Sequence, residues 1–437
     1  MPRYSRRITI AVLFMLSTAS TGDGPSQASW SSWRGPSGQG YSDDQRVPLR
    51  WSDKQNLLWT TPLPGRGNST PIVWGRRIFL TSASPDGSQR FLRCIDAHDG
   101  KLLWQRLVSR GVPAGKTHPW NGYASASCVT DGERVYAFFG TPGLFCHDME
   151  GKQLWKHSFG VFTSATGWGS AASPFLFDDL VIQNCDNDGE AGLRSDEKGA
   201  MAAPMSLVAL DKRTGKVRWS TPRNQGRGFS TPRLVSSAAG KSEMVLNGPD
   251  GLWAYDPGTG KELWYCRRSA DKGQGKFGEP MPVGDRDALI AFSGRPGPIQ
   301  AIRPGGSGDA WPSHRLWEIR RKGRDVASPI LWQNHLYAVD NRAVLTCFDA
   351  RSGKTVYSKR LSPQALVLAS PVAVRGKLIF LLDTGETVVL EPGAAYKEFG
   401  RNVLGDNRSL DFAASPAIVN GRLYLRSQAH LYCIGAK

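Results

Sequence analysis

Two short patterns of apolar and polar positions alternate along the chain. The first is a small residue, often Ser before Pro, then an alternating apolar run, a turn and a second apolar run. It reads Ser69-Thr70-Pro71-Ile72-Val73 into Arg77-Ile78-Phe79, and Ser127-Cys128-Val129 into Val135-Tyr136. It recurs as Ser173-Pro174-Phe175-Leu176 into Leu180-Val181-Ile182, and as Ser328-Pro329-Ile330-Leu331 into His335-Leu336-Tyr337. Ser370-Pro371-Val372 leads to Lys377-Leu378-Ile379, and Ser415-Pro416-Ala417-Ile418 to Arg422-Leu423-Tyr424. Ser230-Thr231-Pro232 and Glu279-Pro280-Met281 supply two less regular copies, which makes eight. Period-two apolar runs between turn residues predict short half-buried strands. A unit repeated at this spacing predicts a repeat architecture.

The second pattern follows each first one: an apolar strand ending in Asp, a short turn, then Gly-Lys-x-x-Trp. Asp96 leads to Gly100-Lys101-Leu102-Leu103-Trp104, and Asp148 to Gly151-Lys152-Gln153-Leu154-Trp155. Asp211 leads to Gly215 and Trp219, Asp256 to Gly260 and Trp264, and Asp349 to Gly353 and Tyr357. Trp317 and Phe399 end two degenerate copies. Asp caps such a turn through nearby backbone, and Gly supplies the positive φ that closes it. The aromatic then has a neighbouring unit to pack on. Each repeat therefore predicts four antiparallel strands in about 40 to 60 residues, the size of a propeller blade. The last repeat lacks its fourth strand. Asn56-Leu57-Leu58-Trp59 has the aromatic with no strands before it, so it completes the last blade. The prediction is an all-β, eight-bladed β-propeller of four-stranded antiparallel blades, closed by an N-terminal strand that leaves no open ring edge.

The remaining chain divides into three expected parts. Residues 1–28 read as a signal peptide: Arg3, Arg6 and Arg7, an apolar stretch from Ile8 to Leu16, then small residues. Residues 29–55 form a lead-in segment, and residues 56–437 the propeller. The apolar stretch is too short to span a bilayer, and no later segment is apolar enough to do so. The signal region holds no Cys, so the exported protein is expected without a lipid anchor, in the periplasm or outside the cell. The net charge of +17 favours anionic partners, but it is scattered. Its densest run, Arg320 to Arg324, reads as a solvated loop, and no nucleic-acid motif accompanies it. Of seven Cys, Cys94, Cys146, Cys347 and Cys433 share one repeat position and read as small packed residues. Export would also permit disulfides among them.

The element running from Ala209 through Asp211, Thr214, Gly215 and Lys216 to Trp219 resembles the tryptophan-docking motif of pyrroloquinoline-quinone (PQQ) repeat propellers. Those include PQQ-dependent alcohol dehydrogenases and the BamB outer-membrane assembly lipoproteins. Trp33-Arg34-Gly35-Pro36 and the stretch from Tyr123 to Tyr136 resemble exported bacterial PQQ-binding-like repeat proteins. The likeness runs over residues 30 to 437. It implies a docking set of Trp59, Trp104, Trp155, Trp219, Trp264, Trp317, Tyr357 and Phe399. The dehydrogenases also imply a vicinal Cys pair and a Ca²⁺ held by Glu, Asn and Asp. This chain has no adjacent Cys.

Catalytic motifs such as Gly-x-Ser-x-Gly and His-Glu-x-x-His are absent. The acidic run Asp186, Asp188 and Glu190 is a weak metal candidate. It lacks the spacing of an EF-hand loop, and a solvated insertion explains it as well. The loops leading into the inner strands gather at one end of a propeller's axis. They carry His118, Trp120, Asn121, Trp168, Phe229, Arg321 and Arg324, a mixture suited to a polar ligand or an extended peptide. Packing or solvation would account for each of these residues singly. The expected function is a non-catalytic exported scaffold, monomeric, binding a protein or envelope partner and no nucleic acid. No cofactor is expected. One alternative is a PQQ-dependent dehydrogenase with a reduced site and Ca²⁺. The other is a polysaccharide- or polyanion-binding module.

Overall fold

The computed structural model describes residues 29–436 except 112–116, 119, 165–167, 188–202, 227, 269–276, 295, 321, 324–325 and 406–411. The expected signal peptide lies outside the described residues. Eight antiparallel sheets, each built on four strands, follow one another around an axis. Blade 1 is typical: Ile72–Trp74, Arg77–Ala83, Gln89–Asp96 and Leu102–Arg110, paired in that order. The first strands of neighbouring blades touch around the axis, as Ile72–Trp74 does with Val129–Thr130 and with Ala417–Val419. The only helix among the described residues is the four-residue Trp311–His314. No described helix is long and apolar enough to cross a membrane.

Ring closure follows the predicted route. Leu57–Pro62 pairs antiparallel with His430–Gly435, setting Trp59 opposite Cys433. An early and a late segment of the chain thus share blade 8.

The repeated turn shows why its residues recur. Gly151 sits at φ +85°, and a Cβ there would stand 2.7 Å from the Trp104 ring. Gly215 stands in the same relation to Trp155, and Gly353 to Trp317. Each aromatic lies flat on the next blade's turn, where only glycine leaves room. The indole N–H then donates to that blade's backbone: Trp59 to the His98 carbonyl at 3.0 Å, Trp104 to Met149 at 3.0 Å, Trp155 to Lys212 at 3.2 Å. A large apolar face and a satisfied polar edge make this joint directional. Trp264 differs. It is wholly buried and donates instead to the Glu243 carboxylate at 2.8 Å.

Two repeat assignments shift in register. In blade 7 the residue facing the third strand at the docking position is Gly400, opposite Val389; Phe399 falls on the bulge beside it. The Arg50 guanidinium covers that glycine and lies 4.8 Å over the Phe399 ring, filling the place of the missing indole. In blade 5 the strand lead-in is Met281-Pro282-Val283, two residues later than Glu279-Pro280-Met281. The Met281 amide makes the bond that the residue before Pro makes in other blades.

The lead-in segment does not lie outside the ring. Ser29–Trp30 pairs with the first strand of blade 1, and Tyr41–Ser42 with that of blade 7. Between them the chain crosses the axis. The Ser31 carbonyl accepts from Thr130 of blade 2, the Ser37 carbonyl from Arg233 of blade 4, and the Gln39 side chain from Gly284 of blade 5. Arg34 is buried and donates to the carbonyls of Gly38, Gln39, Ser328 and Pro329. Burial lowers its pKa to about 10, still far above neutrality, so a full charge is held on carbonyl dipoles. Residues 29–42 therefore plug the axial channel and tie opposite blades together.

Candidate functional site

Above the plug the channel opens into a cup of about 190 Å³. Trp33, from the plug, lines it. Its walls come largely from the lead-ins to the first strands. Proline there fixes φ and has no N–H to leave unbonded.

The residue before each strand builds two arcs around the axis, since among the described residues no such bond joins Ser415 to Thr70. The Thr70 amide donates to the Ser127 hydroxyl at 2.9 Å, Ser127 to Ser173 at 3.0 Å, and Ser173 to Thr231 at 3.1 Å. Met281 donates to Ser328, Ser328 to Ser370, both at 2.9 Å, and Ser370 to Ser415 at 3.0 Å. Each hydroxyl thus satisfies the amide of the preceding blade. Met281 has no hydroxyl to offer Thr231, so the series breaks between blades 4 and 5. The sequence signalled a small residue at this position; that it had to be a hydroxyl was visible only as a preference for Ser and Thr.

Of the predicted mouth residues, Trp120, Asn121, Trp168 and Phe229 line the cup together. His118 stands behind them, stacked on Trp168 at 3.8 Å and 19°, and edge-on to Trp120 at 5.3 Å. The amides hold the indoles in place. Asn68 donates to the Trp120 carbonyl at 3.1 Å, and Asn121 to the Trp168 carbonyl while accepting from Ser125. Asn68, Trp33 and Glu279 also line the cup and were not singled out as ligand-binding residues. Nothing in one sequence sets them apart, because their meeting depends on ring closure. Arg321 and Arg324 lie outside the described residues.

Asp186 is not at the mouth. Its two carboxylate oxygens accept from Arg223 at 2.9 Å each, and both side chains are buried. Arg223 also donates to the Tyr255 hydroxyl at 2.7 Å. Burial pushes the Asp186 carboxyl up, and the adjacent guanidinium opposes that shift. A carboxylate so engaged is structural, fixing within blade 3 the Arg223 that reaches Tyr255 of blade 4, and is not an open metal ligand. Asp188 and Glu190 fall outside the described residues. Among the described residues no cluster of His, Cys, Asp and Glu could hold a metal ion. The seven thiols are buried and unpaired, and burial raises most of them to about 12, as with Cys94 and Cys433.

Fold and site together define a plugged eight-bladed propeller of the PQQ-repeat class. The chain belongs to the family described as outer membrane protein assembly factor BamB, whose model matches residues 49–166, 150–384 and 309–437. It is 23% identical to the outer membrane protein assembly factor BamB of Burkholderia pseudomallei (strain K96243) over 394 residues, 80% of this chain and 93% of that one. Among solved structures, BamB from Moraxella catarrhalis superposes with a TM-score of 0.60 at 14% identity, covering 86% of this chain and 99% of that one. The computationally designed Ika8 protein superposes at 0.55 and 12% identity, covering 87% and 100%. At such identities the structural likenesses speak for the fold alone.

Proposed function

We propose that this protein is an exported, non-catalytic scaffold of the cell envelope that docks a protein partner on its rim. Membership of the BamB family supports the class of work, outer membrane protein assembly. One observation carries the docking. The outer strand of blade 1, Leu102–Arg110, is the longest described strand and lies at the free edge of its sheet. It exposes three leucines: Leu102 at 53%, Leu103 at 47% and Leu107 at 43%. A long, apolar, unpaired edge is the form in which a sheet accepts a strand from another chain. In a monomer it is a hazard unless covered.

The test is co-purification from the native envelope, with the partner identified by mass spectrometry. Leu103→Asp with Leu107→Asp is expected to lower recovery of one defined envelope protein at least tenfold, while thermal unfolding stays close to wild type. Undiminished recovery would refute the assignment of this edge.

A further inference from the structure

The cup carries binding chemistry that rim docking does not use. Ser127, Ser173, Thr231, Ser370 and Ser415 line it, and each accepts one backbone amide. Accepting leaves the hydroxyl proton of each still to be placed. Among the described residues none of these five O–H groups has an acceptor, and all five residues are more than nine-tenths buried. Water or a ligand must supply the acceptors, since buried donors left unmade cost about 1–3 kcal/mol each. Trp33, Trp120, Trp168 and Phe229 line the same cup.

Three ligand classes can be compared on this inventory. A simple anion would accept from the hydroxyls but would gain nothing from the indoles. An organic cation would suit the indoles, yet would leave the five donors without acceptors. A polyol both accepts and donates, and the C–H face of a sugar ring packs on an indole. The cup is smaller than the roughly 300–1,000 Å³ of a drug-sized site, which limits the occupant to one ring or the end of a chain. We propose that the axial cup binds a neutral saccharide unit, stacked on the Trp120–Trp168 wall and hydrogen-bonded to the hydroxyls around it. This site is separate from the rim, so rim docking and sugar binding can fail independently.

The test is titration of the folded, full-length protein with N-acetylglucosamine and with glucose, followed by tryptophan fluorescence and calorimetry. Tetramethylammonium chloride and sodium acetate serve as cation and anion probes. Saturable binding of at least one sugar is expected, with neither salt saturating. Affinity is expected to fall about tenfold or more in Trp120→Ala. Trp120→Phe is expected to keep most of it, which separates lost stacking from lost folding. Leu103→Asp is expected to leave it unchanged. A saturable response to tetramethylammonium or acetate alone, or no saturable response to either sugar, would overturn the proposal.

Discussion

Single residues in this ring show how burial sets charge. His147, on the third strand of blade 2, is 1% exposed, and its Nδ1 has no hydrogen-bond partner among the described residues. Burial lowers its pKa from the ordinary 6.5 to about 4; Arg106 pushes the same way and Asp148 against. The unfolded chain therefore takes up a proton between about pH 6.5 and 4 that the folded chain refuses. This contribution to stability is whole above pH 6.5 and shrinks as pH falls through that window. Urea unfolding of His147→Gln is expected to show a flatter loss of stability over that range than wild type. Equal slopes would mean that the imidazole is protonated in the fold. The buried arginines behave differently. Arg34 and Arg426 keep their charge with carbonyl or hydroxyl acceptors alone, Arg426 bonding Ser69 and Thr81. No sequence pattern announces such a residue, because acceptors such as Ser69 and Thr81 for Arg426, or Ser328 and Pro329 for Arg34, lie hundreds of residues away along the chain.

At the scale of the element, the turn and its aromatic act as one joint. Gly151 and Gly376 both have positive φ, +85° and +67°. A Cβ on Gly151 meets the Trp104 ring, whereas on Gly376 it meets nothing within 4 Å. Gly376→Ala is thus expected to cost only backbone strain, about 1–2 kcal/mol. Gly151→Ala adds overpacking of about 1–3 kcal/mol. The difference in denaturant midpoints measures the joint. Equal losses would show that Trp104 yields freely. The blades were legible because this joint leaves Asp, Gly and Trp at fixed intervals. Legibility failed where another residue took over a part. Gly400 is silent in the sequence because Arg50, 350 residues away, fills its place. The blade 5 lead-in was misplaced because Met281 carries no hydroxyl and Pro280 lies two residues before Pro282.

The whole molecule is a ring closed twice, by the shared sheet of blade 8 and by the plug across the axis. The first closure was readable, since Trp59 stood alone without its strands. The second was not. Its two pairings are two residues long, and Gly35, Gly38 and Gly40, all at positive φ, break any periodicity. The mouth residues were readable in part: Trp120, Asn121, Trp168 and Phe229 belong to loops that any propeller gathers at one end. Trp33 was out of reach, because it arrives with the plug. With the axis plugged below the cup by the chain itself, the outer strand of blade 1 carries more exposed leucines than any other strand among the described residues.

The most direct measurement is site-specific photo-crosslinking in the native envelope. A crosslinking residue placed at Leu103 is compared with one at Val356, an exposed apolar position on the outer strand of blade 6. The account predicts one discrete adduct with an envelope protein from position 103 and none from position 356. No adduct from position 103, or the same adducts from both positions, would contradict it.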